Sequence, residues 1–145
     1  MRIALLSYRS KTHCGGQGVY VRHFSRGLVE LGHDVEVFSG KTYPEGLDPR
    51  VRLTRVPSLD LYREPDPFRV PRPNEIHDRI DLLELLTTWT AGFPEPKTFC
   101  LRIARILSER RDEFDVVHDN QSLGDGLLEI AKLGLPVVAT VHHPI

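Results

Sequence analysis

The chain of 145 residues has only two cysteines, one methionine and one tryptophan. Cys14 and Cys100 lie far apart and form no CxxC pair, which excludes a disulfide framework and fits a reducing cytosol. Charge of one sign is missing too: 19 basic against 20 acidic residues leave a net charge of −1. No global basic field therefore argues for nucleic acid or for an anionic membrane as a partner. Long apolar runs are absent. The opening run, Ile3 to Leu6, is too short for a signal-peptide core, and no later run could span a bilayer. There are no internal repeats and no low-complexity tail. A cytoplasmic chain is expected. Its 40% hydrophobic and 27% charged composition suits one domain with an ordinary core.

What is present alternates between two periodicities. Ile3 to Ser7 is a continuous apolar run, the pattern of a parallel strand covered on both faces. Val19 to Leu31 carries Val21, Phe24, Leu28 and Leu31 at helical spacing and is closed by Gly32. Val35 to Phe38 follows as a second strand, completing a strand–helix–strand unit. Val51 to Val56 alternates apolar and polar residues as a third strand. Pro57 to Asn74 holds five prolines and no periodicity, so an irregular segment is expected, either a plain surface loop or an acceptor-binding lid. Helices are predicted over Glu75 to Thr90, Thr98 to Arg111 and Leu123 to Leu133, the first with Ile76, Ile80, Leu83, Leu86 and Trp89 on one face. Strands are predicted over Phe114 to His118 and Pro136 to Val141. Alternating strands and helices imply an α/β fold, a Rossmann-like parallel sheet with helices on both faces.

Ligands of such sheets bind beyond the carboxyl ends of the strands. The polar residues expected there are Ser7 and Tyr8, Ser39, His118, Asp119 and Asn120, and then His142 and His143. The stretch Cys14-Gly15-Gly16-Gln17-Gly18 falls on the same rim, between a strand and a helix start. Backbone N–H groups and the positive end of a helix dipole would converge there, which suits a phosphate. Gly15, Gly16 and Gly18 are the anion-binding candidates, and glycine lets a bulky anion approach the backbone.

Several familiar motifs fail. The dinucleotide fingerprint lacks its third glycine after Gly18, and Ser39-Gly40-Lys41 supplies no acid for a ribose. No Gly-Lys-Ser/Thr follows for a Walker loop. A receiver domain would need acids where Ser7-Tyr8-Arg9 and Val56-Pro57-Ser58 stand. His13, His118, His142 and His143 include no pair at metal-site spacing, so no metal ligand is assigned. Histidines on this rim could instead donate to a sugar hydroxyl or a phosphate. Cys14 could be a thiol activated by the helix dipole or simply a small loop residue.

The order of features resembles a known family. Gly15-Gly16, Tyr20 and Leu31-Gly32-His33-Asp34-Val35-Glu36-Val37 resemble the start of family 4 glycosyltransferases. Asp115-Val116-Val117-His118 is similar to that family's D-V-V-H segment. Gly134-Leu135-Pro136-Val137-Val138-Ala139-Thr140-Val141-His142 is similar to its G-x-P-x-V-x-T-x-H segment. The family has the GT-B fold, two Rossmann-like domains facing across a cleft. The resemblance implies that residues 1–145 are an incomplete N-terminal, acceptor-side domain, with a C-terminal donor-binding domain absent from this chain.

The resemblance further implies transfer of a hexosyl unit from a nucleotide-sugar donor with retention of configuration. No cofactor, metal or protein nucleophile is required, because the donor phosphate takes the acceptor proton. Gly15, Gly16 and Gly18 would bind the donor diphosphate, and His142 would be the catalytic residue beside the transferred sugar. His118, Asn120 and Tyr8 would face a sugar, lipid or small-molecule acceptor. Two departures stand out: Cys14 replaces a common proline, and His118-Asp119-Asn120 replaces a common His-x-His. The segment from Leu59 to Phe93 mixes arginines with Tyr62, Phe68, Trp89 and Phe93, a pattern that suits a packed helix hairpin first and leaves open contact with a lipid-linked acceptor at the inner face of a membrane. Oligomeric state is left open as well. On this reading the fragment alone is inactive. The alternative is a stand-alone nucleotide- or sugar-binding module without catalysis.

Overall fold

The computed structural model describes every residue except 11–15, 64–65, 67–68, 91, 123 and 143–145. The calls on Gly15, Cys14, His13, Phe68 and His143 fall outside the described residues. Five strands, β1 (Arg2–Ser7), β2 (Asp34–Ser39), β3 (Arg52–Arg55), β4 (Val116–Asn120) and β5 (Val137–Thr140), form one sheet in the order β3-β2-β1-β4-β5. Every pairing is parallel. This is the Rossmann-like α/β sheet that the alternating pattern predicts.

Four helices are described: α1 (Gly16–Glu30), α2 (Arg79–Trp89), α3 (Glu95–Glu109) and α4 (Leu127–Ala131). The pleat divides the core between the two faces of the sheet. Ile3, Leu5, Val35 and Val37 point to the face covered by Val21 and Val29 of α1. Ala4, Leu6, Phe38 and Val117 point to the other, against Phe99, Ile103 and Leu107 of α3 and Ile130 of α4. The chain moves outward from β1 to β3 and then returns to pair β4 with β1. The reversal leaves a crevice beyond the carboxyl ends of β1 and β4, where α/β sheets bind ligands.

Several glycines mark places where a side chain would not fit or the backbone turns left-handed. Gly32 (φ +84°) and Gly134 (φ +74°) end helical segments, as the sequence suggests. Gly40, just past β2, lies so close to β1 that a Cβ there would sit 2.4 Å from the Tyr8 carbonyl oxygen.

The structure corrects four boundaries or faces. Helix α1 begins at Gly16 rather than Val19, so Gly16 and Gly18 belong to its first turn and not to a preceding loop. Strand β4 runs from Val116 to Asn120, two residues beyond the predicted segment. His118 and Asp119 are consequently inside the ladder, opposite Leu5 and Leu6 of β1, and not past its end. Helix α4 is only five residues long, because Gly124 and Gly126 lie against the backbone of α3 and delay its start. A Cβ on Gly126 would meet the Cys100 Cβ and the Lys97 carbonyl oxygen, each at 2.7 Å.

The fourth correction concerns α2. The helix buries Asp81, Glu84 and Leu85, whereas Leu86 and Trp89 are exposed. The cause is Arg102 of α3, 6% exposed, which donates to Asp81 at 2.6 Å and approaches Glu84 at 2.7 Å. Glu84 also accepts from the Leu59 N–H and the Thr98 hydroxyl. An ionic cluster thus takes the inward face that apolar spacing assigned to Ile80, Leu83 and Leu86. It also ties the irregular segment around Leu59 and Leu61 to both helices.

Candidate functional site

The end of β1 is anchored by hydroxyls. Ser7 and Ser10 share a hydrogen bond of 2.7 Å, and the Ser39 hydroxyl lies 3.5 Å from Ser10. All three are buried. They hold the described start of the β1–α1 connection against the end of β2. Beyond residues 11–15, α1 opens with Gly16, Gln17 and Gly18. The first N–H groups of a helix have no intrahelical acceptor, so this turn offers donors together with the positive dipole end. Gly16 is exposed and a Cβ there would meet nothing within 4 Å among the described residues, whereas Gly18 is buried. The two glycines therefore differ: Gly16 is open to a ligand, and Gly18 fits the helix under its neighbours.

A cavity of about 570 Å³ lies beside this helix start. Tyr8 and Gln17 line it from the β1–α1 side. Phe93, Pro94 and Pro96 form an apolar wall where α2 gives way to α3. Gln121 and Ser122, just past β4, line the far side. Lys97 and Asp125, also in the lining, pair across the rim at 2.9 Å. A concave site with apolar walls and a few placed polar groups is suited to a ring with hydroxyls on its edge.

His142 follows β5 on the same edge. Its Nε2 lies 2.6 Å from the Asn120 Oδ1, and its backbone N–H donates to the Gln121 Oε1 at 2.8 Å. Gln121 has φ +49°, a left-handed conformation that strains a non-glycine residue and recurs at functional sites. Gln121 thereby connects His142 to the cavity. Tyr20, one helical turn after Gly16, packs edge-on against the His142 ring with centroids 4.7 Å apart. The Tyr20 hydroxyl reaches Thr140 at 3.3 Å. The α1 N-terminus, His142 and the cavity therefore form one continuous region.

Tyr8, Gly16, Asn120 and His142 are brought together in or beside this region. His118 is placed differently. It is half-buried on the α1 face of the sheet, beneath Phe24, with Nε2 2.7 Å from the Thr140 hydroxyl. It does not line the cavity, and burial lowers its pKa below 6.5. The pleat sends Asp119 to the opposite face, where it accepts from the Ser122 N–H and hydroxyl at 2.9 and 2.5 Å. Burial raises the Asp119 pKa, and the Ser122 bonds oppose the rise. Burial likewise raises the Cys100 thiol to about 12, which leaves it inert at neutral pH.

Sequence reasoning did not single out Gln121, Thr140, Gln17, Lys97 or Glu95. Gln17 and Thr140 lie inside the glycine stretch and the T-x-H segment without a role assigned there, the other three belong to no short motif, and their meeting depends on loop paths. Among the described residues, no three His, Cys, Asp or Glu side chains form a set able to hold a metal. No described helix is long and apolar enough to cross a membrane. Trp89 and Phe93 are 64% and 53% exposed, and Tyr62 packs on Phe93.

Glu95, the first residue of α3, stands behind the Pro94–Pro96 wall and is 8% exposed. Burial raises its pKa to about 7. Arg9 at 3.6 Å opposes the rise, and Glu84 and Asp60 add to it. An unfolded chain ionises this carboxyl from its ordinary 4.5, ahead of the folded one. Folding stability should therefore fall as pH rises from about 4.5 to about 7 and level off above. The Glu95→Gln variant should lack this slope and gain up to about 3 kcal/mol at pH 8. Urea midpoints of both proteins at pH 5 and pH 8 check it; parallel pH profiles would refute it.

Comparison with known proteins bears on this site. The glycosyl transferase 4-like domain family matches residues 15–145. An MMP α-(1→4)-mannosyltransferase of Mycolicibacterium hassiacum is 83% identical over 145 residues, all of this chain and 35% of that protein. The chain thus spans about a third of that relative's length. Among solved structures, a ugt transferase from Siraitia grosvenorii in complex with UDP superposes with a TM-score of 0.55 at 14% identity. It covers 96% of this chain, which covers 28% of it. At that identity the likeness concerns the fold.

Proposed function

This chain belongs to the glycosyl transferase 4-like family, and on that premise we propose that the full-length protein moves a mannosyl unit from a nucleotide-sugar donor to a sugar acceptor, forming an α-(1→4) bond. The observation that carries the proposal is the 83% identity, along the whole chain, to a mannosyltransferase. Residues 1–145 are, on this reading, the incomplete acceptor-side domain of a GT-B enzyme, and the donor nucleotide is held by a second domain outside this chain.

The donor diphosphate sits at the N-terminus of α1. There the N–H of Gly16, at the first turn of the helix, stabilises charge on the leaving group. The acceptor occupies the cavity between Tyr8, Phe93 and Gln121, with one hydroxyl directed at the anomeric carbon. The bond from that carbon to the diphosphate oxygen breaks, and the new bond to the acceptor oxygen forms on the same face. The acceptor proton passes to the departing diphosphate, so neither a protein nucleophile nor a metal is required. His142 contacts the transferred sugar.

Incubating full-length protein with nucleotide-mannose and a mannose-containing acceptor tests the reading through released nucleotide and the linkage formed. Transfer that depends on the acceptor is expected. Binding of the donor without turnover under any acceptor would favour a binding module instead. The His142→Ala variant should lower kcat about tenfold or more while donor Kd changes little, and an unchanged kcat would remove His142 from the site.

A further inference from the structure

We infer that Asn120 is a positioning residue that holds the proton of His142 on Nε2 and so makes Nδ1 the atom His142 presents to substrate. The inference rests on the proposed sugar-transfer reading for its kinetic consequence, though not for its spectroscopic one.

Asn120 ends β4 and is 0% exposed, so its carboxamide is held by the sheet and cannot swing with solvent. The carboxamide oxygen lies 2.6 Å from the His142 Nε2. An oxygen can only accept, so Nε2 carries the proton, and the lone pair of the neutral ring is at Nδ1. The same oxygen serves the imidazolium equally well, because Nε2 donates in both protonation states. The ring can therefore gain or lose a proton at Nδ1 without giving up its anchor.

Three other contacts restrict the ring. Tyr20 lies edge-on at 78° and 4.7 Å. The backbone N–H of His142 is held by Gln121, whose left-handed backbone aims the side chain back toward β5. Thr140, two residues before His142, is engaged by both Tyr20 and His118. His118 thus acts beneath the site, bracing β5 through Thr140.

The arrangement has a cost. Among the described residues Asn120 Nδ2 is buried with no hydrogen-bond partner. Turning the amide over would aim Nδ2 at His142 and give that donor a partner, so the tautomer of His142 also reports the orientation of the amide. The turned amide would present a donor to Nε2 and exclude the imidazolium. Keeping the oxygen forward, with Nδ2 unpaired, retains a ring that can donate or accept at Nδ1.

The test uses full-length protein with ¹⁵N-labelled histidine, the His142 signals being assigned by their loss in His142→Gln. Two-bond proton–nitrogen spectra at a pH where the ring is neutral should show Nε2 protonated and Nδ1 bare. Asn120→Leu, similar in size without an acceptor, should mix the two tautomers and lower kcat about ten- to a hundredfold, with KM changed much less. Asn120→Asp keeps an oxygen at Nε2. It should retain the Nε2 proton and recover at least part of the rate. A wild-type ring protonated on Nδ1, or an Asn120→Leu protein with normal kcat, would overturn the assignment. If the protein transfers no sugar, the spectra still decide the tautomer, so the two readings fail separately.

Discussion

Gly16→Val should abolish most sugar transfer by the full-length protein and leave its folding intact. The separation follows from the geometry. Among the described residues a Cβ at Gly16 meets nothing within 4 Å, so the branched side chain does not enter the described core. The space around Gly16 is where a diphosphate would approach the first turn of α1. Valine keeps its backbone N–H, but its branched side chain would hold the diphosphate off that donor, and losing one well-placed donor contact typically costs about 10²–10³ in rate. Added bulk also raises donor Kd, so kcat/KM should fall by at least that factor. The thermal midpoint should stay within a few degrees, since Gly16 is exposed at the helix start. Steady-state kinetics with donor titration, beside a melting curve, decide the matter. Wild-type kcat/KM in the variant would end the phosphate assignment for this turn.

Arg102→Leu should produce the largest loss of stability. Arg102 joins two carboxylates from α2, Asp81 and Glu84, and all three are nearly inaccessible. Taking one partner out of a buried ionic cluster leaves charge without compensation and costs about 3–5 kcal/mol. Here two acids lose their guanidinium partner, Asp81 keeping His77 and Glu84 keeping the Leu59 N–H and the Thr98 hydroxyl. The irregular segment that α2 and α3 hold should loosen with it. Replacing Asp81, Glu84 and Arg102 together by apolar residues of similar volume should recover much of the loss, because the desolvation penalty disappears with the charges. Urea unfolding of the single and triple variants tests both halves. A single variant within about 1 kcal/mol of wild type would show that the cluster contributes little.

Those two residues were unequally visible in the sequence. Gly16 lies in a glycine-rich turn between an apolar strand and an amphipathic helix, a local signature that needs no tertiary information. Arg102 reads as one more surface cation on a helix. Its burial depends on α2 turning Asp81 and Glu84 toward α3, and apolar periodicity predicts the opposite face. The pattern of α2 is ambiguous because its leucines occupy several faces, and the tertiary ion cluster resolves it. His118 and Asn120 show the same limit on a finer scale. Two residues of extra ladder in β4 move His118 from the expected rim into the sheet. The period-two pleat then sends Asp119 to one face and leaves His118 and Asn120 on the other.

By itself the sequence determined the order of strands and helices, the parallel Rossmann-like sheet and the family. It also determined that the glycine turn and His142 follow strand ends on one edge. These features rest on local periodicity and turn chemistry, which are properties of neighbouring residues. Only the tertiary structure decided which side chains meet on that edge. Tyr20, Asn120, Gln121 and His142 come from three separate elements, and their contacts depend on register, pleat and backbone sign. Burial, hydrogen-bond partners and the titration of Glu95 are set by groups distant in sequence, so no spacing along the chain encodes them.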